Sequence, residues 1–557
     1  MSAIKTYPQT LAAKSNEAAA TIIKTAATAK EWKSWHRVLF RIGFIFFISI
    51  SIPNSPEWYK IVFNIDWTNL HYRDLYDIAR FGSGINFFGN AIFGSTLLGY
   101  ANWITTALFA IAGGFLWTAV VKARHTERKE YNKLYYWLRV VVRYRAGIGI
   151  IGFGFTKLLP VQMPYPSLGL LNTNFGDFTA QKIYWLIIGI VPWYQIFAGV
   201  VEVTAGTLLF FRRTTTLGAI LLFGALGDIV YVNFAYDGGV HVYSSYFVLL
   251  AAFLLIDDVP RIYRLLVQEK VTIPFHYYPS FKSRWQQFAR IGLKAVTIFI
   301  FLILLFKLQL VNFLYDPYKQ PSVAGIKTLR GNYDVTEFRI NNKLIPYSPV
   351  DSLRWQEVYF EKWTTLSYKV NRPALIDLSN GGGDPQKDIN RTFELSGTGG
   401  GLRVFHYYAD TVNSVLYLED KYKAVPDHRN RAAGVGGDGG TDKNLNARQN
   451  PGLTTEELTP KKFKKQADWM PADARAFIGS ELSKIDKRAA STRRDREFAE
   501  APKNEKRNRM VLKYQTTDGA HIILTGINEN KDSLYIVLDK SNRKYTLAES
   551  SLQAGKY

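Results

Sequence analysis

Long apolar stretches with basic residues at their ends lie between residues 38 and 314, and they limit what this chain can fold into. A helix that crosses the hydrocarbon core of a bilayer needs about 20 mostly apolar residues. Residues 102–121, 193–211 and 287–314 meet this requirement. Inside lipid, a helix is one of the few structures that satisfies its own backbone hydrogen bonds. We therefore predict a membrane-spanning α-helical bundle over residues 37–314.

The number and direction of the crossings follow from the basic residues. We expect about seven transmembrane helices, each of roughly bilayer length. The sequence KARHTERKEYNK follows the helix that ends near Val121, and Arg212 and Arg213 follow another. Lys and Arg collect in cytoplasmic loops. This pattern predicts a bacterial inner-membrane protein with residues 1–36 in the cytoplasm and the C-terminal part in the periplasm.

The overall charge supports contact with lipid. The chain has a formal net charge of +23, with many of its basic residues next to the apolar stretches. Such residues bind anionic lipid headgroups, so we expect the lipid bilayer as a partner and no nucleic acid. The sequence contains no cysteine, which excludes disulfides, thiolate-bound metal clusters and thioether-linked haem in this chain.

The C-terminal part has a different pattern. From about residue 328, short alternating runs such as NYDVTEFRI, TLSYKV, TFELSG, RMVLKYQTT and KYTLAES are separated by Gly, Asn and Asp. This alternation is typical of antiparallel β-structure. We predict a periplasmic β domain over 315–424 and 509–557, and a barrel and a sandwich both fit the pattern. Residues 425–508 are too polar to form a core and are predicted to be an exposed, partly disordered insertion.

Three ionisable residues are placed deep in the predicted bundle. With a rise of 1.5 Å per residue, Glu202, Lys157 and Asp228 lie about 14, 18 and 21 Å from the cytoplasmic helix ends. Charged groups in a bilayer are normally paired, face a cavity or are functional. One interpretation is a structural ion pair that joins three helices. The other is a polar pocket for a quinone headgroup or a proton path.

Two further groups lie at the ends of the predicted helices. Asn233, Asp237 and His241 surround a DGGVH turn at the outer mouth, where they form either a site for a polar substrate or a solvated loop. One His and one Asp are weak evidence for a metal, and no metal site is assigned. Arg212 and Arg213 lie at the inner mouth, where they anchor lipid phosphates or bind an anionic ligand.

The glycine-rich run GIGIIGFGF lies within a predicted membrane helix, so it indicates close helix packing and not a nucleotide loop.

The β domain contains no recognisable catalytic motif, and no catalytic residue is assigned.

Three segments resemble the DoxX family of bacterial membrane proteins: RYRAGIGIIGFGFTKLLPVQMPYPS, FAGVVEVTAGTLLFFRRTTTLGA and NFAYDGGVHVYS. The resemblance implies a four-helix core over about 140–257. The first span, GNYDVTEF and DSLRW are similar to larger family members with extra helices and a C-terminal β domain. Tyr246 stands where related sequences usually have His, and the insertion over 425–508 also departs from the family pattern.

The resemblance also implies a function. The family is named after a subunit of a thiosulfate:quinone oxidoreductase, which makes quinone a candidate ligand. The resemblance also places six residues at motif positions of the family: Lys157, Glu202, Arg212, Arg213, Asn233 and Asp237. We therefore expect a component of quinone-linked electron transfer or of a redox-associated membrane complex. The alternative is a non-enzymatic anchor that displays the β domain to a membrane or periplasmic protein partner. A transporter is a third hypothesis, although no internal repeat is evident.

Overall fold

A computed structural model describes residues 32–85, 87, 97–272, 277–279, 281, 283–372, 376–377, 379–382, 387–422, 469–500 and 507–557. The chain is helical as far as residue 315 and forms a β-barrel after it. Of the segment predicted to be cytoplasmic, only residues 32–36 are among those described.

The N-terminal part is a bundle of helices of unequal length. Its helices are α1 (Ser34–Ser49), α2 (Pro56–Phe63), α3 (Tyr72–Ala79), α4 (Leu97–Ala123), α5 (Asn132–Leu158), α6 (Leu168–Leu171), α7 (Ala180–Ile190), α8 (Pro192–Leu209), α9 (Thr215–Ala235), α10 (His241–Leu255), α11 (Val259–Leu266) and α12 (Arg284–Tyr315). Within α12, the stretch Phe299–Leu304 has the wider π-helical turn.

Between three and five candidate spans are present in the described part of the chain. Three helices are long and apolar enough to cross a membrane: Gly99–Ala123, Arg212–Ala235 and Arg284–Tyr315. The pairs α7 with α8 and α10 with α11 qualify only together, and they bend by 93° and 76°. The predicted count of about seven is not confirmed, because α1 has only 16 residues and α5 carries several basic residues.

Glycines allow the backbones of α5 and α8 to touch. A Cβ atom on Gly199 would lie 2.3 Å from the backbone nitrogen of Leu158, and one on Gly147 would lie 2.9 Å from the carbonyl oxygen of Gly206. Real Cβ atoms essentially never approach other atoms as closely as either of these distances. The glycine-rich run in α5 therefore serves close helix packing, as predicted from the sequence.

The C-terminal part is a closed antiparallel barrel. Its strands are β1 (Gly331–Ile340), β2 (Lys343–Leu344), β3 (Glu357–Phe360), β4 (Thr365–Lys369), β5 (Leu402–Asp410), β6 (Val415–Asp420), β7 (Arg509–Gln515), β8 (His521–Ile527) and β9 (Ser533–Lys540). The short β2 pairs only with the end of β1. The other eight strands follow one another around the ring, and β1 pairs with β9 from Tyr333 opposite Lys540 to Ile340 opposite Leu534. Of the two predicted architectures, the barrel is therefore correct.

Alternate residues of each strand fill the barrel. The inward-facing set is apolar and buried: Tyr333, Val335, Phe338, Val358, Phe360, Leu366, Tyr368, Phe405, Tyr407, Leu416, Leu418, Met510, Leu512, Ile522, Leu524, Leu534, Ile536 and Leu538. At 25 cal/mol per Å², burial of one such large side chain contributes about 1.5–3 kcal/mol. The interior is thus a hydrophobic core of packed side chains.

Two segments predicted as strands are not strands. TFELSG, residues 392–397, forms turns in which Phe393 and Leu395 pack against other parts of the chain, and KYTLAES, residues 544–550, is irregular. Both have the alternation expected of strands, but in the first segment this alternation reflects the packing of Phe393 and Leu395 outside the barrel core.

The described part of the predicted insertion is helical and partly buried. Helices α13 (Ala472–Ile478), α14 (Glu481–Lys484) and α15 (Thr492–Glu500) follow Trp469. Arg494 is 1% exposed. Full exposure therefore does not hold for residues 469–500, because Arg493 and Arg494 pair with the buried carboxylates of Asp74 and Asp316. Residues 425–468 and 501–506 lie outside the described part of the chain.

Candidate functional site

An ion pair joins two helices inside the bundle. Lys157 Nζ of α5 lies 2.5 Å from Glu202 Oε1 of α8, and the two side chains are 12% and 2% exposed. Gly154 leaves room for this contact, since a Cβ there would lie 3.2 Å from the Cβ of Glu202. The other carboxylate oxygen of Glu202 is buried and has no hydrogen-bond partner among the described residues.

Asp228 does not join this pair. Its side chain is exposed on α9. Gly224 and Gly227 share the open surface of that helix, because a Cβ on either would meet nothing within 4 Å. Depth along a helix axis does not specify the direction in which a side chain points. Among the described residues, the buried ion pair therefore consists of Lys157 and Glu202, and Asp228 makes no hydrogen bond or ion pair with either.

The three outer-mouth residues make different contacts. The side-chain amide of Asn233 donates to the carbonyl of Ile229 at 2.7 Å. Asp237 is exposed and has a φ of 52°. The His241 ring stacks on Phe234 with the centroids 4.5 Å apart. In the described part of the chain, no group of three or more His, Asp, Glu or Cys side chains is arranged to hold a metal ion.

A cavity of about 520 Å³, called here the distal cavity, lies at the end of the bundle away from the barrel. Its charged lining residues are Arg139, Arg143, Arg212, Arg261, Arg264, Asp257 and Asp258. The aromatic ones are Trp32, Tyr135, Tyr136, Tyr277 and Tyr278. Of the two predicted inner-mouth residues, Arg212 lines this cavity, whereas Arg213 is exposed and outside its lining.

A buried group of charged side chains, called here the junction cluster, lies where the bundle meets the barrel. Its members come from α3, the end of α12, the connection between β4 and β5, and helices α14 and α15: His71, Asp74, Asp77, Asp316, Asp388, Arg391, Glu481, Arg493 and Arg494. These segments are distant in sequence, so the cluster depends entirely on tertiary structure.

Asp316, the residue after α12, is at the centre of the junction cluster. Its Oδ1 accepts from Arg391 Nη2 at 2.6 Å, and its Oδ2 accepts from Arg494 Nη1 at 2.5 Å. Ser322 Oγ donates to Oδ1 at 2.5 Å. Burial favours the neutral acid, but the two guanidinium groups outweigh it and hold the pKa of Asp316 well below its ordinary value. Asp316 is therefore an ionised carboxylate with its charge matched inside the protein.

Arg493 extends the cluster to helix α3. Its guanidinium lies 3.4 Å from Asp74 Oδ1 and 2.5 Å from Asp77 Oδ2. Asp74 also caps α3, because its Oδ2 accepts from the backbone N–H of His71 at 2.8 Å. Helix α15 is thus joined to the helical bundle by ion pairs with two residues of α3.

Asp388 and Glu481 connect the cluster to the barrel. Asp388 accepts from the backbone N–H groups of Ser322 and Val323 at 2.9–3.0 Å. The N–H of Asp388 donates to Glu481 Oε1 at 2.8 Å. Burial, with the nearby carboxylate of Asp388, raises the pKa of Glu481 to about 8. Glu481 therefore keeps its proton at neutral pH.

A second contact holds the barrel from the side of α6. Glu361 accepts from the backbone N–H groups of Leu168 and Gly169, each at 3.1 Å, at the start of that helix. Lys319 lies 3.8 Å from the centre of the Trp185 ring and donates to the carbonyl of Asn380 at 2.5 Å. Burial raises the pKa of Glu361 to about 7. The bundle and the barrel are therefore joined by polar contacts on two sides.

Comparison with known proteins gives one relative. A protein of Bacillus subtilis (strain 168), called Uncharacterized protein YwoB, is 30% identical to this chain over 107 residues, which are 70% of YwoB. The chain belongs to the same family as YwoB. The aligned residues are 18% of this chain, so the YwoB similarity concerns one part of it. No protein-family profile matches the chain, and no solved structure matches it.

The sequence identified some of these residues and missed others. Lys157 and Glu202 are conspicuous because they are charged residues within apolar helices, and Arg212 is conspicuous because it directly follows an apolar stretch. The junction cluster was missed, because Asp316 and Arg494 are 178 positions apart. The one available signal was the arginine-rich run RRDRE at 493–497, which was interpreted as solvent-exposed. Membership of the YwoB family adds no residue roles, since the printed name of that protein states none.

Proposed function

We propose that this chain is a multi-pass scaffold of the bacterial inner membrane that holds its barrel in a fixed position on the periplasmic side, for recognition by an envelope protein. In this proposal the bundle is DoxX-like, crosses the bilayer about seven times and has its N-terminus in the cytoplasm. The apolar helices and the basic residues at the distal cavity support this orientation.

The junction cluster is the observation that carries the proposal. A domain on a flexible tether needs no buried ion pairs with its anchor. Here Asp316, Arg391 and Arg494 are each at most 2% exposed, and they come from the bundle, the barrel and α15. Breaking a buried ion pair by removal of one partner costs about 3–5 kcal/mol. Such contacts fix the orientation of the barrel, which is what a scaffold requires.

The filled barrel supports the same conclusion. Lipocalin-like barrels that carry a ligand keep an open interior. In this chain, large side chains such as Phe405, Tyr407 and Met510 occupy the interior. The outer surface of the barrel, and not its lumen, is therefore the surface that we expect a partner to contact.

Sidedness can be tested with protease added to intact spheroplasts. Cleavage at exposed barrel loops beyond Tyr315 supports the proposed orientation, and complete protection of that region contradicts it.

The scaffold role is tested by cross-linking in cells followed by affinity purification of the full chain. We expect an envelope protein in a stoichiometric amount with wild type, and less with Asp316→Asn. The absence of any stoichiometric partner with wild type would refute the scaffold role.

A second candidate function is quinone-linked electron transfer, and the unpartnered oxygen of Glu202 favours it. That buried acceptor faces no hydrogen-bond donor among the described residues, while Lys157 balances the charge of the carboxylate. A quinol hydroxyl is a donor of the required kind. Because the chain has no cysteine, thiolate-ligated redox centres would have to come from another subunit.

This candidate is tested by the quinone content of the purified protein. Glu202→Gln and Lys157→Met should each lose co-purified quinone, whereas Asp228→Asn, at an exposed residue, should keep it. Normal quinone content in both of the first two variants would exclude the Lys157–Glu202 pair as a quinone site.

A further inference from the structure

We infer that the distal cavity is a binding site for a phosphate group, with Arg143 as its central residue. The inference is independent of the role of the barrel. It rests on the charges that line the cavity, on the burial of one arginine and on the aromatic walls.

Among the described residues that line the distal cavity, the charges are not balanced. Of its seven charged lining residues, five are arginines and two are aspartates. Arg139 Nη1 lies 3.3 Å from Asp257, and Arg261 Nη1 lies 3.1 Å from Asp258. These pairs use both carboxylates. Arg143, Arg212 and Arg264 have no ion pair with a carboxylate among the described residues and leave a net excess of positive charge.

Arg143 is the most buried of these three. It is only 9% exposed. Its Nη1 donates to the hydroxyl of Thr215 at 3.3 Å, and its Nε has no hydrogen-bond partner among the described residues. A buried charge without a counter-charge is strongly unfavourable. An anion in the cavity would supply the missing charge.

The arrangement favours phosphate over a carboxylate. A carboxylate is matched by a single arginine, whereas phosphate has additional oxygens and can carry more charge. Three arginines that have no carboxylate partner among the described residues line this cavity. Arg212 lies 4.7 Å from the centre of the Tyr278 ring, which supports its guanidinium beside the cavity. Tyrosine hydroxyls of the wall can donate further hydrogen bonds to phosphate oxygens.

The location allows two sources of the phosphate. The cavity lies at one end of the bundle, between α5, α9 and the segment that follows α10. In the proposed membrane orientation, this end of the bundle is at the membrane surface. Basic pockets between membrane helices bind the headgroups of anionic lipids. A volume of about 520 Å³ is also within the usual range of small-molecule sites. A phospholipid headgroup and free phosphate share the chemistry that the cavity recognises.

The experiment uses the full chain, purified in detergent and examined by native mass spectrometry and thermal unfolding. The probes are phosphatidylglycerol, phosphatidylcholine and inorganic phosphate. We expect phosphatidylglycerol to bind more tightly than phosphatidylcholine, since the latter headgroup carries no net charge. Loss of one charged hydrogen bond should weaken binding of the preferred probe about 10- to 100-fold.

Two variants and a control locate the binding. Arg143→Gln and Arg212→Gln should both weaken binding, and Arg212, which is only partly buried, provides the test if the Arg143 variant folds poorly. Arg213→Gln changes an exposed neighbour outside the cavity lining and should bind as wild type does.

The outcomes are distinct. Tight binding of phosphatidylglycerol that inorganic phosphate does not displace supports a lipid headgroup site. Binding of inorganic phosphate that depends on Arg143 or Arg212 supports a site for soluble phosphate compounds. The inference would be overturned if wild type bound neither phosphatidylglycerol nor inorganic phosphate. It would also be overturned if Arg143→Gln, Arg212→Gln and Arg213→Gln bound the probe equally well.

Discussion

Replacement of Asp316 with Asn should loosen the barrel from the bundle without unfolding either. The change keeps the size of the side chain but removes the charge that faces Arg391 and Arg494 at 2.6 and 2.5 Å. The amide nitrogen of Asn also cannot accept a hydrogen bond from a guanidinium. Two arginines, each at most 2% exposed, then lack their shared counter-charge.

The size of the effect follows from this burial. Removing one partner of a buried ion pair costs about 3–5 kcal/mol, which corresponds to a roughly 100- to 4,000-fold increase in the equilibrium constant for opening. Hydrogen–deuterium exchange measures that constant for local opening. Peptides that contain Ser322 and Val323, and peptides from α15, should exchange faster by about this factor. Peptides from β8, in the barrel core, should not change.

A matched control separates this effect from general loss of charge. Asp539 is an exposed carboxylate that accepts from Thr336 at 2.7 Å. Asp539→Asn should change local stability by less than about 1 kcal/mol, since exposed ion pairs contribute little. If exchange near Ser322 is the same in Asp316→Asn, Asp539→Asn and wild type, the argument that the junction cluster fixes the barrel is wrong.

Three further predictions concern pH, helix packing and the barrel core. Because the pKa of Glu481 is raised to about 8, its proton is retained in the folded chain but lost from the unfolded chain between about pH 4.5 and 8, so its contribution to stability falls as pH rises. The drop in melting temperature from about pH 6 to 8.5 should therefore be smaller in Glu481→Gln than in wild type. Part of the drop should remain, because the raised pKa of Glu361 acts in the same direction. An equal drop in both proteins would contradict this assignment. Gly199→Ala should destabilise the bundle by about 1–3 kcal/mol, because the new Cβ would lie 2.3 Å from the Leu158 nitrogen. The loss is measured as the decrease in folded protein when the detergent-purified chain is heated. The control Gly224→Ala, in open space, should be neutral or slightly stabilising. Leu524→Ala, at a fully buried position, should lower the free energy of unfolding of the barrel by about 2–5 kcal/mol. Leu344→Ala, at a residue 53% exposed, should lower it far less. Similar losses in the two variants would show that the lumen is not the packed core.

The features that could be predicted from sequence were those with local periodicity. The apolar stretches identified α4, α9 and α12, and the alternation of residues identified most strands of the barrel. Closure of the barrel could not be predicted, because it depends on the pairing of β1 with β9, about 200 residues apart, and each strand looks the same in a sandwich. The segment 392–397 shows the same limit, since its alternation reflects packing on the barrel exterior.

Side-chain direction and long-range pairing explain the remaining differences. Lys157 and Glu202 were placed at a similar depth and do form a pair, but Asp228 at a comparable depth faces outward. The charged helix α15 looked solvent-exposed because its partners Asp74 and Asp316 come from distant segments. A local excess of arginine does not reveal whether acidic residues elsewhere in the chain will cover it.

The most direct test of a rigid junction is a distance measurement across it. The chain has no cysteine, so two introduced cysteines provide unique positions for spin labels. Lys60→Cys on α2 and Glu529→Cys in the β8–β9 loop are both exposed sites, one on each side of the junction. We predict a single narrow distance distribution by pulsed electron paramagnetic resonance, which broadens when Asp316→Asn is added. A broad distribution with Asp316 intact would contradict a barrel held in a fixed position.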